Sequence, residues 1–89
     1  MKAIIAVIGH DCVGILAHIA TACTAENANV IDVNQTVMQE YFAMIMLVDI
    51  TDISCSFREF TERITEAGQQ KEMTVHVMHE NIFNSMHRI

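Results

Sequence analysis

Eighty-nine residues suffice for one folded unit and not for two, and a chain of this size buries only about 60% of its unfolded surface, so a lone copy is marginally stable. The composition is 52% hydrophobic and 18% charged, with no proline and three glycines; a charged share below the usual quarter points to surface hidden against a partner. Eleven acidic residues against five basic ones give a formal charge of −6, and the cations Lys2, Arg58, Arg63, Lys71 and Arg88 are scattered, which excludes the basic cluster that direct nucleic-acid binding requires.

Ala3 to Ile8 is a β-branched apolar run ended by Gly9 and reads as a buried strand. Gly9, His10 and Asp11 form a short connection. Ile15, Leu16, Ile19 and Cys23 then recur at helical spacing. They predict a helix over 12–26, with Asp11 as the candidate N-cap and Asn27 as a left-handed stop. From Asn29 to Met38 the period changes to two, with Ile31, Val33 and Val37 on one face and Asp32, Asn34 and Thr36 on the other. Gln39-Glu40 reads as a turn. Tyr41 to Ile50 comes next, apolar on both faces with Asp49 as its single charge. A strand of that kind needs cover on both sides. The chain's own helices supply one cover, and a second copy is the simplest source of the other.

Thr51 to Ser56 is a polar link in which Ser54 or Ser56 is placed to cap a second helix. Phe57, Phe60, Ile64 and Ala67 mark that helix as amphipathic, with Gly68 just past its end. Met73, Val75 and Val77 alternate with Thr74, His76 and Met78 in a last strand over 72–79, and residues 81–89 read as a short terminal helix carrying Ile82, Phe83 and Met86. The order β-α-β-β-α-β predicts an α+β, ferredoxin-like sandwich: a four-stranded antiparallel sheet with two helices on one face. One domain is expected over 1–89, its core at about 2–79 and an extension at 80–89.

The three cysteines, Cys12, Cys23 and Cys55, form no C-x-x-C pair. Free thiols and the want of a leader pattern predict a cytoplasmic protein. The apolar runs are far too short to cross a bilayer, so no membrane association is expected.

Three groups of residues bear on chemistry. The first is the strand-to-helix corner, Gly9 to Gly14. A helix amino terminus offers free N–H groups and a positive dipole end to an anion, and Gly14 lets a ligand or a neighbouring backbone come close. The plainer alternative is that Asp11 only caps and Gly14 only relieves crowding. The second is the histidines, His10, His18, His76, His79 and His87. They match no zinc spacing, and His76 and His79, three apart on a strand, face opposite sides, so no metal and no cofactor is expected. The third is Cys12. A thiol at a helix start is a candidate nucleophile, but only His10 offers itself as a base and nothing orients it. Cys12 therefore reads as packing, and the chain as a non-enzyme.

At the corner the residues become specific. The run VIGHDCVGIL, then Asn29 fifteen residues after Gly14, then VIDVNQTV and EYFAMIMLVDI, resembles an ACT domain. The similarity is greatest to the small stand-alone ACT proteins of bacteria and archaea related to the glycine cleavage system transcriptional repressor, and it spans residues 2–79. The resemblance implies a regulatory module whose amino-acid ligand sits between two side-by-side domains, cradled by the first strand-to-helix corner and the start of the second strand. Carried over by position, the site comprises Gly9, His10, Asp11, Gly14 and Asn29, with Ile15 as an apolar wall. His10, Cys12 and Val13 depart from the Lys or Arg, then Pro or Ser, of many members. The expectation is a homodimer that binds an amino acid or similar small molecule and signals to a partner protein; the alternative is a protein-protein interaction module without a small ligand.

Overall fold

The computed structural model describes residues 1–10 and 13–81. Its elements are β1 (Lys2–Gly9), α1 (Ile15–Ala25), β2 (Asn29–Met38), β3 (Tyr41–Asp49), α2 (Phe57–Gln69) and β4 (Thr74–His79). The strands form one antiparallel sheet in the order β2-β3-β1-β4, the ferredoxin-like arrangement expected. The terminal helix read over 81–89 lies, from Ile82 onward, outside the described residues.

Alternation sorts the sheet into two faces. Ala3, Ile5 and Val7 of β1 are level with Val48, Met46 and Met44 of β3, and all six are fully buried. Ile15, Ile19 and Cys23 of α1 and Phe60 and Ile64 of α2 close over that face. Burying side chains of this size contributes roughly 1.5–3 kcal/mol each. The helices are tied to each other by His18, whose Nε2–H donates to the Ala67 carbonyl at 2.8 Å, and by Arg63, whose guanidinium meets both oxygens of Glu26 at 2.6 Å.

Three expectations are corrected. The first helix begins at Ile15 rather than residue 12, because Gly14 is its N-cap and stands at φ 72°, outside the right-handed helical region. Asp11, the expected cap, lies outside the described residues, as does Cys12. In β2 the register shifts between Val30 and Asp32. This bulge leaves Ile31 46% exposed and turns Val30 and Val33 to the core instead, since an inserted residue reverses alternation beyond it. Gly68 is not past the end of α2 but inside its last turn, where a Cβ would stand 2.0 Å from Val75 Cγ2; the missing side chain lets α2 settle onto β4. Within one chain the helices cover one face of β3, as expected: Phe42, Met44, Met46 and Val48 are buried, while Tyr41 and Ile45, outside that cover, are each 50% exposed.

Other readings stand. Asn27 is left-handed at φ 63° and Gln39 at φ 55°, so both turns fall where expected. Ser56 caps α2.

Candidate functional site

Gly9 ends β1 with its missing side chain toward the core: a Cβ there would meet Met73 Sδ at 1.9 Å. The residue makes room for Met73, and what it offers to the corner is backbone. His10 is exposed beyond it and sets its ring edge-on to Tyr41, with centroids 5.0 Å apart and planes at 90°. Tyr41 faces this corner because β3 returns antiparallel beside β1, pairing Phe42 with Gly9. Sequence reasoning placed Tyr41 in a strand and missed it here; only the cross-strand register reveals it.

Among the described residues Gly14 relieves no crowding, since a Cβ built there meets none of them within 4 Å. Its φ of 72° is what asks for glycine. The first helical hydrogen bond runs from the His18 N–H to the Gly14 carbonyl at 3.0 Å, and among the described residues no side chain caps the helix. The N–H groups of Ile15, Leu16 and Ala17 therefore precede the helical ladder and face the corner with the positive end of the α1 dipole. Ile15 is 1% exposed and part of the core, so its side chain stands below the corner rather than beside it.

Asn29 is exposed at the start of β2 and far from this corner within one chain. It is level with Asp49, which is level with Lys2 at the beginning of β1. Gly9 closes the other end of the same strand. Seven residue steps at about 3.3 Å put the two halves of the expected cradle roughly 23 Å apart.

The remaining chemistry-bearing groups are dispersed. Burial pushes the Cys23 thiol up to about 11 and also raises that of Cys55, which lies beside Glu26; both are free thiols, held protonated and unreactive at neutral pH. Asp49 takes the hydroxyl and the N–H of Thr51 at 2.6 and 2.9 Å, and these bonds lower its pKa. His79 Nδ1 accepts from the Asn81 N–H at 3.1 Å. Its side chain and that of His76 are level with Ala3 and Ala6 and so lie on opposite faces. Among the described residues no three His, Cys, Asp or Glu side chains gather as a metal would require, and no helix is long and apolar enough to cross a membrane.

Known proteins match this arrangement. The sequence model of the ACT domain family covers residues 2–78. A UPF0237 protein of Listeria innocua is 39% identical over 89 residues, 100% of both chains. Among solved structures, an ACT domain protein from Streptococcus pneumoniae superposes with a TM-score of 0.82 at 31% identity, over 93% of each chain. A putative glycine cleavage system transcriptional repressor shares the fold, with a TM-score of 0.68 at 23% identity over 85% of this chain and 43% of its own. With the family model covering residues 2–78 and the order of elements and sheet topology in agreement, the chain belongs to the ACT domain family.

Proposed function

We propose that this chain is a non-catalytic regulatory module that binds an amino acid or similar small molecule at a homodimer interface and signals to a partner protein. The family is typically one of regulatory ligand-binding modules, and the open start of α1 is the observation that carries the reading here. Three backbone N–H groups with no capping side chain among the described residues suit a carboxylate. The exposed Asn29, with one amide donor pair and one carbonyl, suits the rest of a zwitterion.

The separation of these halves by about 23 Å within one chain means that a second copy has to complete the site. Side-by-side copies related by a twofold axis, joined through the unpaired edge of β2, run antiparallel. That brings the corner of one toward the Asn29 end of the other. In this site Gly9, His10 and Gly14 shape the corner with Asp11, Ile15 contributes its N–H, and Tyr41 and His10 form the rim. The Asp11 carboxylate would repel a bound carboxylate, so its role is to orient the corner.

A thermal-shift screen across the twenty amino acids identifies the ligand, and calorimetry then tests the geometry. Asn29→Ala should weaken binding by roughly 1–3 kcal/mol, as buried partner groups lose their hydrogen bonds, with little effect on folding. Gly14→Val should abolish binding by displacing the corner from its left-handed conformation. Mixing equal amounts of the two variants should restore about a quarter of the sites, because half of the dimers are mixed and each of these pairs the intact corner of one chain with the intact Asn29 of the other at one of its two sites. No recovery on mixing would refute the shared site, and a screen with no ligand would favour the interaction module.

A further inference from the structure

The sheet face turned away from the helices bears a pattern of large and small residues. On β1 the outward residues are Ile4, Ala6 and Ile8; level with them on β3 are Leu47, Ile45 and Ala43. Small stands beside large at two successive levels, Ala6 by Ile45 and Ala43 by Ile8. Ile45 is 50% exposed and Ile8 48%. Toward the edges the face turns polar: Asn34 and Thr36 of β2 are level with Ile45 and Ala43, and His76 and Thr74 of β4 with Ala6 and Ile8. Lys2 and Asp49 face each other across one end.

We propose that this face is a self-association surface on which two copies of the chain stack sheet to sheet, about a twofold axis parallel to the strands and midway between β1 and β3. Such an axis keeps every residue at its own level and exchanges β1 with β3 and β4 with β2. The partner's Ala6 then lies over Ile45, so each Ile45 fills the hollow above an alanine, and the partner's Ile8 lies over Ala43 in the same way. The polar edges also match, Asn34 over the partner's His76 and Thr36 over the partner's Thr74. Asp49 comes opposite the partner's Lys2. One surface is thereby complementary to itself, the condition an isologous contact imposes, and sheets stacked with nearly aligned strands are a stable packing.

Size and charge fit a second copy as well. Four strands about 4.8 Å apart and eight residues long at about 3.3 Å each span roughly 500 Å². Two copies thus bury about 1,000 Å², the lower bound for a specific interface. A chain of formal charge −6 repels its own kind unless contact is made where acids are few: the six central residues carry no charge, and the one acid on the β2 edge, Asp32, is level with Leu47 and comes over the partner's uncharged Met78. The surface is separate from the β2 edge through which the ligand site is proposed to form, so both contacts together assemble four copies.

Light scattering of the full chain tests this, with far-UV circular dichroism to confirm folding. Ile45→Glu should halve the wild-type mass, whereas Thr21→Glu, on the outward side of α1, should leave it unchanged. Ala6→Lys should halve it too. Mixing the Ile45→Glu and Ala6→Lys chains should restore the wild-type mass, because the stack sets the introduced carboxylate of one chain over the introduced ammonium of the other while the second Ala6–Ile45 contact stays intact. A wild-type chain at its monomer mass of 10.0 kDa, an Ile45→Glu chain at wild-type mass, or a mixture that stays halved overturns the proposal; each would leave the face to another protein. The lateral contact is read separately: an Ile45→Glu chain at twice the monomer mass retains it, and one at the monomer mass lacks it.

Discussion

At the start of α2, Ser56 accepts the Glu59 N–H at 3.1 Å while Glu59 reaches back to the Ser56 N–H at 3.5 Å, closing a capping box. At the start of α1, Gly14 stands left-handed and no side chain among the described residues caps. The helices differ along their length too. α2 carries Arg58, Glu59, Glu62, Arg63 and Glu66 on its solvent side, linked in part by ion pairs, whereas α1 has no Asp, Glu, Lys or Arg at all. Each is the crossover of one βαβ unit, so topology does not account for the contrast. α2 satisfies its own terminus and its own solvated face. α1 relies on its buried stripe for stability and leaves its first N–H groups to whatever arrives at the corner.

If that is the division of labour, the buried stripes should matter alike and the termini differently. Phe60→Ala should destabilise the protein by about 3–5 kcal/mol and Ile19→Ala by about 2–5 kcal/mol, both being fully buried. Urea titration measures both. An Ile19→Ala cost near that of a surface substitution would mean that α1 is held by something other than the core.

A smaller effect concerns α1 alone. The Cys23 thiol is raised by burial from an ordinary 9.0 to about 11, so the folded chain holds this proton more tightly than the unfolded one. The resulting stability is fully present below pH 9 and is lost as pH rises toward 11, at about 1.4 kcal/mol per unit and close to ~3 kcal/mol in all. Unfolding curves between pH 8 and 11 should show this slope in the wild type, and Cys23→Ala should lack it. Equal slopes in both would place the thiol in a wetter setting.

The smallest differences lie at the two helix starts. Ser56→Ala should cost about 1 kcal/mol by removing a cap. Gly14→Ala should cost about 1–2 kcal/mol through left-handed strain rather than lost bonds. Adding the identified ligand should widen the wild-type margin over Gly14→Ala, because the wild type binds it more tightly, and leave that over Ser56→Ala unchanged; equal changes at both would erase the contrast between the corners.

Much of this was written in local pattern. The apolar runs of β1 and β3, the stripes Ile15–Ile19–Cys23 and Phe60–Ile64–Ala67, Asn27 as a left-handed stop and Ser56 as a cap all depend on neighbours within a few positions, where sterics and hydrogen bonding act directly on the chain. The sequence by itself therefore determined the order of elements and the buried stripes of the two helices. Tertiary structure decided the rest. Ile31 reads as core in any alternating strand, and only pairing against β3 shows that the bulge expels it. Gly68 looks like a helix stop until Val75 is seen beneath it, and Tyr41 joins the corner only because β3 returns beside β1. Asn29 lies fifteen residues from Gly14 in sequence yet at the far end of the sheet, because a helix that crosses back along the sheet returns the chain to where β1 began. Spacing along a chain counts residues, whereas a site is made of distances, and those are set by which strands pair and in what register.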